Sequence, residues 1–196
     1  MSNKRLIYGV GVNDWDGDVT LNGKSIREYE LWSAMLKRCF SKDYKEQRPT
    51  YNGVTCCQEW LSMRSFIKDV SQMKGYDAEG WQLDKDILVK GNKLYSEETC
   101  CFVPLEINSL LVNGRNLRGE WPIGVSFHKR DRRFRAQVAT GKERKHLGYF
   151  NTAEEAFKAY KVAKEAHIKA VAEKWKDQLD ERVYQVLINY TVEITD

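Results

Sequence analysis

WPIGVSFHKRDRRFRAQVATGKERKHLGYFNTAEEAFKAYKVAKEAHIKAVAEKWK, residues 121–176, holds three short strand-like pieces followed by one capped helix. Residues 124–129 alternate Val125 and Phe127 with Ser126 and His128. Residues 133–139 alternate Phe134, Ala136 and Val138 with Arg133, Arg135 and Gln137. Alternation marks half-buried strands, because successive side chains point to opposite faces. The polar run Arg130-Asp131-Arg132 joins the two as a hairpin, Thr140-Gly141-Lys142-Glu143 makes the next turn, and residues 144–150 form the third strand. Ser126, His128, Arg133, Arg135 and Gln137 are thus expected on one face, with Arg130 at the turn and Arg144 and His146 on the third strand. Thr152, with Glu155 three residues on, predicts a capping box at the start of the helix. Phe157, Tyr160, Ile168, Val171 and Trp175 recur near helical spacing and are expected to cover the sheet's other face.

Charge is concentrated in the same place. Residues 115–150 carry ten Lys or Arg against Glu120, Asp131 and Glu143, whereas the whole chain is only +4, so the remainder is net acidic. A compact basic sheet of this kind is the electrostatic footprint of a phosphate-binding surface. The plainer reading is a solvated basic face, as charge runs usually are.

The segment resembles the AP2 DNA-binding domain, a three-stranded antiparallel sheet packed on a helix. The likeness is carried by Gly124-Val125, Phe134-Arg135-Ala136-Gln137-Val138, Leu147-Gly148-Tyr149-Phe150, Thr152-Ala153-Glu154-Glu155-Ala156 and Ala159-Tyr160. It implies a sheet lying in the major groove of double-stranded DNA, with Ser126, His128, Arg130, Arg135 and His146 at the DNA-facing positions. His146 stands where that family usually has a tryptophan.

The rest of the chain bounds the function. With 196 residues and 42% hydrophobic content it is long enough for one or two domains with a real core, and 12% aromatic residues argue against disorder. No apolar run reaches the ~18 residues of a membrane span, and no signal peptide opens the sequence. Five cysteines, an odd number, at Cys39, Cys56, Cys57, Cys100 and Cys101, point to free thiols in a reducing compartment, the cytoplasm. No Cys-x-x-Cys pair occurs and no histidine precedes His128, so buried thiols are expected rather than a zinc site.

Towards the N-terminus, residues 29–39 and 60–73 read as amphipathic helices, with a turn at 51–54 between them. Residues 82–89 read as a strand, 90–93 as a turn and 99–103 as the returning strand, after which Pro104 takes the first position of a helix. This ββα order, with Asp84 on the first strand and Asn108 on the helix, resembles the HNH nuclease motif. The wider stretch is similar to bacteriophage homing-endonuclease-like proteins that pair an HNH-like half with a C-terminal AP2 domain. Tyr8-Gly9-Val10-Gly11-Val12-Asn13-Asp14, Trp32-Ser33-Ala34-Met35-Leu36-Lys37-Arg38-Cys39, Cys57-Gln58-Glu59-Trp60, Leu83-Asp84-Lys85-Asp86, Gly91-Asn92-Lys93-Leu94-Tyr95-Ser96 and Glu98-Thr99-Cys100 carry that likeness.

The resemblance implies an α+β chain with an HNH-like domain over 1–112 and an AP2-like domain with a helical extension over 113–196. It implies host cytoplasm as the location if the chain is phage-encoded, and no membrane; a protein partner or oligomer stays open. Asp84 and Asn108 would hold a divalent ion, magnesium or manganese, assisted by Asp86, Glu59 and Asn92. An HNH site sets a histidine on the first strand to deprotonate water beside that ion. Here Lys85 stands at that position and Thr99 at the middle one. A lysine near its ordinary pKa of ~10.4 is a poor base at neutral pH, and flanking aspartates keep it charged. Asp84 and Asp86, two apart on a strand, are expected to share a face. Metal-dependent endonuclease and DNA-binding protein with a nuclease-like scaffold both stand.

Overall fold

The computed structural model describes residues 6–111, 120–141 and 143–195. The fold is mixed α+β, with six α-helices among the described residues and a three-stranded antiparallel sheet near the C-terminus. It divides into two compact units, Met1–Val103 and Pro104–Asp196. The division therefore falls after Val103 rather than after residue 112.

In the first unit, the hairpin β1 (Thr20–Leu21) and β2 (Lys24–Ser25) turns at Asn22-Gly23, whose φ values of 52° and 75° are those of a two-residue hairpin loop. Helix α1 (Arg27–Phe40) buries Trp32, Met35, Leu36 and Cys39, an i, i+3, i+4, i+7 stripe. Ser41 caps α2 (Lys42–Gln47) by accepting from the Tyr44 amide. The helix expected over 60–73 is shorter, α3 (Met63–Val70). Ser62 caps it, and Trp60 lies before it in a 3₁₀ turn. Trp60 is fully buried and serves as a crossbrace: its carbonyl accepts from Trp32 Nε1 at 2.8 Å and its own Nε1 donates to Asp69 at 2.9 Å. Two short sheets complete the unit. Strand β3 (Thr55–Cys56) pairs in parallel with β5 (Leu94–Tyr95), and β4 (Gln82–Asp84) pairs antiparallel with β6 (Cys101–Val103). All five cysteines are free, with Cys56 and Cys57 only half-buried.

In the second unit, Pro104 is the N-cap, not the first helical residue, of α4 (Leu105–Leu110). The sheet runs β7 (Val125–His128), β8 (Arg133–Thr140), β9 (Glu143–Phe150) in antiparallel order. Helix α5 (Ala153–Trp175) follows, with the expected Thr152–Glu155 capping box, and then α6 (Glu181–Ile188). Phe157 and Tyr160 pack with Val138 and Val192, backed by Ile123, Val125 and Leu147. Tyr160 also explains Gly124, whose φ is 75° and on which any Cβ would run into the Tyr160 ring. The later apolar positions of α5 do not join this cluster. Ile168 and Val171 are buried further along α5, whose last turns meet α6 where the Tyr184 hydroxyl donates to Glu173, and Trp175 donates through Nε1 to Glu106 of α4 at 2.8 Å. A 23-residue helix of ~34 Å outruns an eight-residue strand of ~27 Å, so its far end needs other partners.

Candidate nucleic-acid interface

Antiparallel pairing places cross-strand partners on the same face. The pairs Ser126–Arg135, His128–Arg133, Gln137–His146 and Ala139–Arg144 therefore put all the expected strand residues on the face turned away from α5. Arg135 Nε donates to Ser126 Oγ at 3.3 Å, which fixes the guanidinium across β7. Arg133 reaches Asn151 Oδ1 at 3.3 Å. Arg144 and His146 are exposed. No carboxylate occupies this face of the three strands.

Arg130 differs from the others. In the turn between β7 and β8 its side chain is 85% exposed and its Nε donates to Asp131 at 3.0 Å, while His128 Nδ1 lies 3.2 Å from the other Asp131 oxygen. The Arg130 hydrogen bond holds the Asp131 carboxyl below the usual range, so Asp131 stays ionised and offsets part of the turn's charge. Arg115, Arg118 and Lys142, counted in the basic excess, lie outside the described residues.

Tyr149 joins this face although strict alternation from His146 assigns it to the other. Between Ala136 and Gln137 the register slips: Ala136 faces Gly148, but Gln137 faces His146, leaving Leu147 as the extra residue of a bulge. Gly148 takes φ 133°, and Leu147 packs towards the core. Tyr149, 37% exposed and paired with Arg135, then stands between His146 and His128, with ring centroids 4.9 and 5.5 Å away. The glycine inside the strand was the signal for it.

The residues expected to cut behave otherwise. Strand β4 ends at Asp84, not at residue 89, because one Asp84 oxygen accepts from the Asp86 amide at 2.6 Å and the Ile87 amide at 2.8 Å. This turn removes the shared strand face expected for Asp84 and Asp86. Burial raises the Asp84 carboxyl above its usual range, against the pull of those two amides. Lys85 is 6% exposed, and its Nζ donates to Asp86 at 2.5 Å and to the Asn92 carbonyl at 2.9 Å. Asn92 returns the contact, donating to the carbonyls of Lys85 and Leu94 and accepting from the Leu94 amide. Thr99 donates to the Leu94 carbonyl. Glu59 sits in the 3₁₀ turn before α3, and Asn108 is half-buried in α4.

Asp84 and Asn108 belong to different units. Among the described residues, no three His, Cys, Asp or Glu side chains gather as they would around a metal ion. The donors at β4 fit a hydrogen-bonded turn rather than a magnesium or manganese cradle, which calls for several convergent oxygens. No helix among the described residues is long and apolar enough to cross a membrane.

Compared with known proteins, the chain matches no family model, no curated protein and no solved structure.

Proposed function

We propose that this chain binds double-stranded DNA through the outer face of β7–β9, in the manner of an AP2-like domain, with the HNH-like half as its scaffold. One observation carries the reading: three strands present Arg133, Arg135, Arg144, His128 and His146 on a single face to which the strands themselves contribute no carboxylate, Asp131 of the β7–β8 turn being the acid at its edge. Strands ~4.8 Å apart make such a sheet ~10 Å across, which suits a major groove ~12 Å wide. Arginine is the side chain best shaped to pair with guanine, while Ser126 and Gln137 supply shorter polar contacts. The capping box and the packing of Phe157 and Tyr160 hold the sheet rigid from behind, as a reading surface requires.

Cleavage is the lesser reading. It draws on the antiparallel β4–β6 pair followed in sequence by α4, and on the half-buried Asp84. Against it stand the closed turn at Asp84 and the engaged Lys85. Plasmid nicking with manganese, abolished by Asp84→Ala at unchanged DNA affinity, would restore the endonuclease.

Binding is tested by titrating duplex DNA at increasing salt. About five phosphate contacts give log K against log salt a slope of roughly −4 to −5. Salt-independent binding, or none at low salt, sinks the proposal.

A further inference from the structure

We propose that Arg38, framed by Tyr44, Tyr51 and Tyr95, is a phosphate-binding site of the first unit. Arg38 sits in the last turn of α1, half-buried; burial opposes its charge, but the neighbouring Tyr95, Tyr51 and Tyr44 outweigh it and hold the guanidinium above its ordinary value. Its one hydrogen bond among the described residues is from Nη1 to the Tyr95 hydroxyl at 3.3 Å. No carboxylate of the described residues lies within ion-pair distance of it. The group that touches it is the Tyr95 hydroxyl, with Tyr51 and Tyr44 close by. Burial pushes the phenols of Tyr95 and Tyr51 up, so both stay neutral at physiological pH and supply donors but no countercharge. A guanidinium carries five N–H donors in a planar fork, and most of this fork is unused.

The neighbours add positive charge. Lys37 Nζ lies 5.3 Å over the Tyr44 ring. Lys45 donates to the Val54 carbonyl at 3.3 Å beside them. Asp86, the acid next to Tyr51 in this group, already holds Lys85. A half-buried guanidinium whose one hydrogen-bond partner is a phenol keeps donors in hand for an anion. A phosphate fits best: its oxygens accept the fork in pairs, the phenols donate to the remainder, and Lys37 and Lys45 meet the excess negative charge. The site lies in the other unit from β7–β9 and stands whether or not that sheet binds DNA.

The test uses the full chain, wild type and Arg38→Gln, melted with millimolar inorganic phosphate against chloride at matched ionic strength. Phosphate should raise the wild-type melting temperature and leave Arg38→Gln unmoved, and isothermal titration should show binding weakened about tenfold or more. The substitution also removes the Tyr95 contact, so the reading is the phosphate-induced shift within each protein and not the difference between their melting temperatures. If Arg38→Gln fails to fold, Tyr51→Phe keeps the ring packing and should weaken phosphate severalfold. A short blunt duplex separates the sources of phosphate. Loss of duplex affinity in Arg38→Gln assigns the site to a nucleic-acid backbone phosphate; unchanged duplex affinity with a lost phosphate response assigns it to a free phosphate or phosphomonoester. Equal phosphate responses in wild type and variant, or no response in wild type, overturn the site.

Discussion

The turn after β4 and the outer face of β7–β9 are both crowded with polar and charged side chains, yet they spend them in opposite ways. At the turn, Asp84, Lys85, Asp86 and Asn92 bond to one another and to nearby backbone, leaving little for a ligand. On the sheet, Arg144 and His146 stand exposed, and Arg135 makes a single long contact to Ser126. Residue type alone does not make a site. A polar group satisfied inside the fold stabilises it, whereas one left facing outward is available to a partner.

Four measurements test this contrast. Phe157→Ala removes the ring that backs the sheet and should cost about 3–5 kcal/mol, read as a lower denaturant midpoint. A variant melting like wild type would mean the sheet is not held from behind as described. Asn92→Ala deletes three hydrogen bonds that tie residues 85 and 94 and should cost about 1–3 kcal/mol, with DNA affinity unchanged. Loss of DNA binding at an unaltered melting temperature would make the turn a site after all. Arg135→Ala should show the reverse pattern: stability within about 0.5 kcal/mol of wild type, but DNA binding about tenfold weaker.

The smallest effect is one of pH. Hydrogen bonds from Lys174 and Trp175 hold the Glu106 carboxyl below its ordinary value. A lowered carboxyl adds stability above its unfolded pKa and loses it as pH falls through the folded one. The pair is partly exposed, so Glu106→Gln should cost no more than about 1 kcal/mol at neutral pH, the difference vanishing in acid. Asp84, raised by burial, responds with the opposite sign: its ionised form is the disfavoured one, and that penalty is relieved as pH falls through its folded pKa. Melting curves of Glu106→Gln and wild type that run parallel from pH 7 to pH 3 would show that the Lys174 and Trp175 contacts carry no stability.

The three-stranded sheet, its hairpin at residues 130–132 and the capped helix behind it were legible because alternation and capping are local signals. Helix α1 was legible for the same reason, its stripe being regular. The strand expected over 82–89 shrank because the Asp84 carboxylate captures two amides ahead of it, a side-chain effect that hydropathy does not register. The same local chemistry engages Asp84 and Lys85, and no pattern of residue types announces which hydrogen bonds a carboxylate has already made. The far half of α5 was misassigned because helical spacing says which residues are buried, not against what.

The bulge in β9 behaves as a frameshift in a code of period two. Before Leu147 the outward residues are read at Arg144 and His146; beyond it the next is Tyr149. A reader starting from either end of the strand therefore finds a consistent face that is wrong past the bulge. Deleting Leu147 would restore a single frame along the whole strand and leave Tyr149 towards solvent and Phe150 towards the helix, whereas keeping Leu147 but flattening the bulge would exchange the two.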